Sequence, residues 1–113
     1  MAIASNLDIQ RLEHLYKSGF RDTFLDNALR KVIERQIARD GADLARVNEA
    51  LARFEQQYNM SSEEFWRSFQ TGQMPDSADF MEWNIFCKMR QRIVSRLQIL
   101  RGGDGTALLT TMS

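Results

Sequence analysis

The chain has 113 residues, a length that suits one compact domain, and its 43% hydrophobic and 27% charged residues are an ordinary globular mix. Fifteen bases balance fifteen acids, so bulk charge supplies no general affinity for nucleic acid. One cysteine excludes an internal disulfide framework and a cysteine-based metal site, no apolar run spans a bilayer, and the start lacks a secretory pattern, so a reduced, cytoplasmic setting is expected.

The punctuation predicts four helices over about 6–18, 23–59, 62–71 and 77–101. In the first, Ser5 or Asn6 caps a stripe of Ile9, Leu12, Leu15 and Tyr16, and Gly19 ends it. The second is capped by Asp22 or Thr23 and carries apolar residues from Leu25 to Tyr58 at steps of 3, 4 or 7. From Leu44 through Val47, Leu51 and Phe54 to Tyr58 the steps alternate as in a heptad seam, which makes these residues the candidate oligomer seam. Asp40-Gly41 interrupts this pattern, so either a kink or a change of covering partners is expected there.

The third helix begins with a Ser-x-x-Glu capping box from Ser61 to Glu64, preceded by Met60 and followed by Phe65 at the spacing of a hydrophobic staple. Gly72 ends it. After Pro75, Asp76 or Ser77 caps a fourth helix with the stripe Trp83, Phe86, Met89, Ile93, Leu97 and Leu100. Residues 103–113 have no period and read as a flexible tail behind a single helical domain over 1–102. The expected fold is all-α, an elongated antiparallel helical hairpin or coiled coil that self-associates. Helix four lies against the second half of helix two, with Phe54 near Trp83 and Asp40 near Leu97. Helix one covers the first half, from about Phe24 to Gln36, and meets helix four end to end at Asp40-Gly41.

Eight of the eleven aromatics fall between Phe54 and Phe86. From Met60 to Trp83 five acids face one base, Arg67, whereas from Asn84 to Arg101 there are five bases and no acid. Complementing the helix dipole accounts for part of this polarity. The first half of helix four is nevertheless apolar nearly all round, with Phe80, Met81, Ile85 and Cys87 extending its surface and Asp79 and Glu82 on the apolar stripe, so cover on several sides is needed.

Asp76, Asp79 and Glu82 follow one helix face with no histidine or glycine-rich loop beside them, which favours capping or partner pairing over a catalytic or metal-binding role. His14 falls opposite its helix's stripe and reads as solvated, and Cys87 as a small buried hydrophobe. The bases of helix four scatter around its wheel, so no phosphate stripe is expected and direct nucleic-acid binding is disfavoured. No cofactor, metal or enzymatic activity is indicated.

The block Tyr58-Asn59-Met60-Ser61-Ser62-Glu63-Glu64-Phe65, then Phe69, Gly72 and Asp76-Ser77-Ala78-Asp79-Phe80-Met81-Glu82-Trp83, resembles short all-helical prokaryotic proteins in the antitoxin position of type II toxin–antitoxin operons. The likeness covers roughly residues 35–102. Asn59 and Pro75 stand where that pattern has glycine, and both are structurally mild departures. The resemblance implies an inhibitor that covers a cognate toxin, a small ribonuclease, by direct contact. Its partner-binding residues would be Phe65, Trp66, Phe69, Asp76, Asp79, Glu82 and Trp83, with rings as anchors and carboxylates as phosphate mimics. Against this, Phe65, Phe69, Trp83 and Phe86 also read as an ordinary end-core. The alternatives are a homo-oligomeric scaffold, a homodimer in its simplest form, and an RNA-associated helper using the basic end of helix four.

Overall fold

A computed structural model describes residues 6–102. The expected cap Ser5 and the expected tail 103–113 lie outside the described residues. Four helices, α1 (Asn6–Lys17), α2 (Thr23–Tyr58), α3 (Ser62–Gln70) and α4 (Ala78–Leu100), make up the described fold, and no strand occurs among those residues. No helix there is long and apolar enough to cross a membrane. The expected boundaries hold to within one residue because local chemistry sets them.

Side-chain caps start the helices. Asp22 Oδ1 accepts the Phe24 N–H at 2.8 Å, Ser61 Oγ accepts the Glu64 N–H at 3.1 Å, and Ser77 Oγ accepts the Phe80 N–H at 3.0 Å. The Ser61–Glu64 box forms only this half; the free N–H of the next residue, Ser62, is taken by Glu55 Oε2 of α2 at 2.9 Å. α2 stops at Asn59, whose φ of 50° is left-handed, and the Met60 N–H closes back on the Glu55 carbonyl at 3.2 Å. Asparagine is the residue after glycine that best tolerates that conformation.

The chain divides into two compact units, residues up to Glu34 and residues from Arg35. In the first, the Tyr16 hydroxyl donates to the Asp26 carboxylate, and the Arg21 guanidinium lies 5.3 Å from the Tyr16 ring centre. α1 buries no residue. Leu7, Ile9, Leu12 and Leu15 stay exposed on it, as do Phe24, Val32 and Ile33 on α2. The expected cover of α2 from Phe24 to Gln36 by α1 is therefore thin, and Phe24 remains 79% exposed. A helix of 12 residues with one narrow stripe has too little apolar surface to enclose its neighbour.

In the second unit, Val47, Leu51, Phe65, Phe80, Trp83, Cys87, Ile93 and Leu97 form one buried cluster, with Phe54, Tyr58, Met60 and Phe69 packed against it. Phe54 stacks on Trp83 at 5.5 Å between ring centres, and Asp40 pairs with Arg96, so rising positions on α2 meet falling positions on α4. α3 folds over the Trp83 end, where Phe65 stacks on Trp83 at 4.0 Å and 3°. The Trp83 indole N–H donates to Ser62 Oγ at 2.9 Å, which satisfies the one polar atom of a fully buried ring.

Asp40 takes a different role from the expected end-to-end junction. α2 is helical through Asp40-Gly41, and Asp40 is 1% exposed. Arg96 Nε and Nη2 grip its two oxygens at 2.7 and 2.9 Å, and Gln36 Nε2 adds a third bond at 3.1 Å. This fork of bonds to the ionised form holds the Asp40 carboxyl below the usual carboxylate range, Arg96 contributing most, against the opposing effect of desolvation. The polar break in the stripe is a buried ion pair with a half-exposed arginine from α4.

Candidate protein-binding surface

The surface read from the sequence splits into a buried part and an open part. Phe65 and Trp83 are 0% exposed and belong to the core, and Phe69 packs on Phe65 at 5.4 Å. These rings are engaged within the chain. Trp66 is half-buried, its indole N–H has no hydrogen-bond partner among the described residues, and it lines a groove of about 630 Å³ together with Arg67, Cys87 and Arg90. Asp79 is half-buried and accepts hydrogen bonds from the Tyr58 hydroxyl and, at 3.4 Å, from Gln57 Nε2. That bond to the neutral phenol, with burial and the carboxylate's charge, pushes the Tyr58 hydroxyl above its ordinary pKa. Asp79 thus ties α4 to the end of α2.

Asp76 and Glu82 are exposed. Beside them, two apolar side chains assigned no binding role in the sequence face outward: Met81 at 59% and Ile85 at 55% exposed. They lie one helical turn apart and share a face with Met89. Their signal was the nearly all-round apolar character of early α4. The seam residues Val47 and Leu51 are buried against α3 and α4, and Leu44 and Phe54 are half-buried against the same cluster.

A second groove, about 560 Å³, runs between α2 and α4. Arg46 and Arg53 stand on its α2 side and Arg92 and Arg96 on its α4 side, over a floor that includes Val47, Ala50 and Phe86. No single helix reveals this convergence. The seven-residue spacing of Arg39, Arg46 and Arg53 on α2 was its one available hint.

Cys87 is buried, and desolvation, outweighing the nearby Arg90, raises its thiol pKa, the opposite of what a nucleophile needs. Among the described residues no cluster of three or more His, Cys, Asp and Glu side chains could hold a metal ion. Compared with family models, with curated proteins and with solved structures, the chain matches none of them.

Proposed function

We propose that the chain is a non-enzymatic, cytoplasmic protein-binding module, an antitoxin-like inhibitor that neutralises a small ribonuclease by covering its basic RNA-cleaving site. The observation that carries this reading is the start of α4, where the exposed Met81 and Ile85 stand among the exposed carboxylates Asp76 and Glu82. Exposed apolar anchors with exposed carboxylates beside them are what a protein partner with a basic surface recognises. The anchoring role expected of Phe65, Phe69 and Trp83 passes in this proposal to Met81 and Ile85, with Trp66 at the margin. Asp79 stays with Tyr58.

The test is co-expression with the ribonuclease encoded beside this chain. Copurification and loss of ribonuclease activity are expected. The double variant D76K/E82K and the variant M81S/I85S should each weaken the complex while leaving far-UV circular dichroism unchanged. A neighbour that is no nuclease, or a complex indifferent to both variants, removes the reading.

A second reading, a self-associating coiled-coil hairpin acting as a scaffold, is favoured by the first unit. Its exposed apolar side chains Ile9, Leu12, Leu15, Val32 and Ile33 suit cover by a second copy of the same unit, because residues 6–34 carry five acids and five bases and so meet no net repulsion. Sedimentation equilibrium should then give a dimer that I9E or V32E dissociates. A monomer for the parent chain discards this reading.

A further inference from the structure

The groove between α2 and α4 combines two features that a solvated surface has no reason to combine. Its floor is apolar: Val47, Ala50 and Ile93 are buried there, and Phe86 and Met89 remain partly open to whatever lies above. Its rims are guanidinium groups from two helices, in a chain whose total charge is zero. Arg46 is paired with Asp43 and Arg96 with Asp40. Among the described residues Arg53 and Arg92 make no ion pair or hydrogen bond, and both are exposed, one on each side of the groove.

We infer that this groove is a docking site for an acidic amphipathic helix of a partner protein. Carboxylates on the flanks of such a helix meet Arg53 and Arg92, where planar forks accept them in pairs, while its apolar face enters between Ala50, Phe86 and Met89. Ala50 opens the floor for that face, and Met89 is flexible enough to repack around it. From Phe86 to Arg96 α4 runs about 15 Å, which matches two to three turns of a bound helix.

Nucleic acid fits the groove less well. Two guanidiniums without partners among the described residues neutralise two phosphates, which gives a salt dependence of only about −1.4 in log–log slope for a single strand and little affinity at physiological salt. A phosphate backbone also leaves the apolar floor uncovered. The inference rests on Arg53, Arg92 and Met89, none of which the ribonuclease reading uses, so it stands whether or not a ribonuclease is the partner.

Fluorescence anisotropy with the full chain provides the test. The probes are a labelled helical peptide of about 14 residues with leucines on one face and glutamates on both flanks, the same peptide with lysines for glutamates, and a labelled single-stranded RNA of similar length. The glutamate peptide should bind at least tenfold more tightly than either of the others, an affinity ratio of about 1.4 kcal/mol. R53E/R92E should weaken its binding about tenfold, R53Q/R92Q by less, and M89E should weaken it without touching the rims. All three sites are exposed, so far-UV circular dichroism should be unchanged. Equal binding of the lysine peptide, tighter binding of the RNA, or full affinity in R53E/R92E overturns the inference. So does a change of oligomeric state in R53E/R92E, which would make a second copy the occupant.

Discussion

The bond between Trp83 and Ser62 gives the sharpest test of how α3 is held on the core. The indole N–H donates to Ser62 Oγ at 2.9 Å, Trp83 is 0% exposed, and Ser62 is 5% exposed, so neither group has water as a substitute. In S62A the donor stays buried with no acceptor, and the cost is desolvation without compensation, about 1–3 kcal/mol. The Ser62 N–H bond to Glu55 survives, because the backbone is unchanged. For a domain of this size each kcal/mol lowers Tm by about 4–8 °C, so a fall of at least about 4 °C is expected. W83F keeps the stack between Phe65 and Phe54 and removes the donor. On that background serine to alanine should be nearly neutral, since no indole is left unpaired, and the double-mutant cycle should return a coupling of about 1 kcal/mol or more. Urea unfolding followed by far-UV circular dichroism measures all four corners. If S62A is as stable as the parent chain, or costs the same in both backgrounds, the bond does not hold α3 and the reasoning fails.

Asp40 is held below its ordinary carboxylate value of about 3.9, so its contribution is fully present above that pH and is lost as pH falls through the lower folded value. D40N should therefore flatten the acid limb of the stability–pH curve, as seen by urea midpoints across pH, and an unchanged slope would refute the assignment. Both tyrosines of the chain donate to carboxylates, Tyr16 to Asp26 and Tyr58 to Asp79, and these bonds raise both phenols. Their stabilisation is present below a pH of about 10 and disappears as pH rises through the raised values, so tyrosinate absorbance should develop above about 10. D79N should return one of the two tyrosines toward normal; a parent titration centred at about 10 contradicts both bonds. Cys87, the chain's one cysteine, is buried with a raised pKa, so a thiol reagent at mildly alkaline pH should label it slowly in native protein and rapidly in urea. Equal rates would place the thiol at the surface.

The helices and their ends were legible because their causes are local. Ser61, Ser77 and Asp22 bond to N–H groups two or three residues on, and Asn59 needs nothing beyond its own backbone to end α2. Laying the two stripes in opposite directions with Phe54 at Trp83 also agrees with the structure, where the two rings stack. The candidate binding surface was less legible, because the same ring reads alike as a core residue and as an anchor until its neighbours are known. Phe65 and Trp83 satisfy each other in the core, whereas Met81 and Ile85 are exposed, which is why the proposal gives them the anchoring role.

By itself, then, the sequence determined where this chain is helical and which stripe of each helix is apolar. Only the tertiary structure decided what meets what: Asp40 finds Arg96 56 positions away, and arginines that scatter on one helix converge with those of another across a groove. Periodicity and capping act over a few residues, whereas charge pairing and burial depend on distances in space that no local pattern encodes.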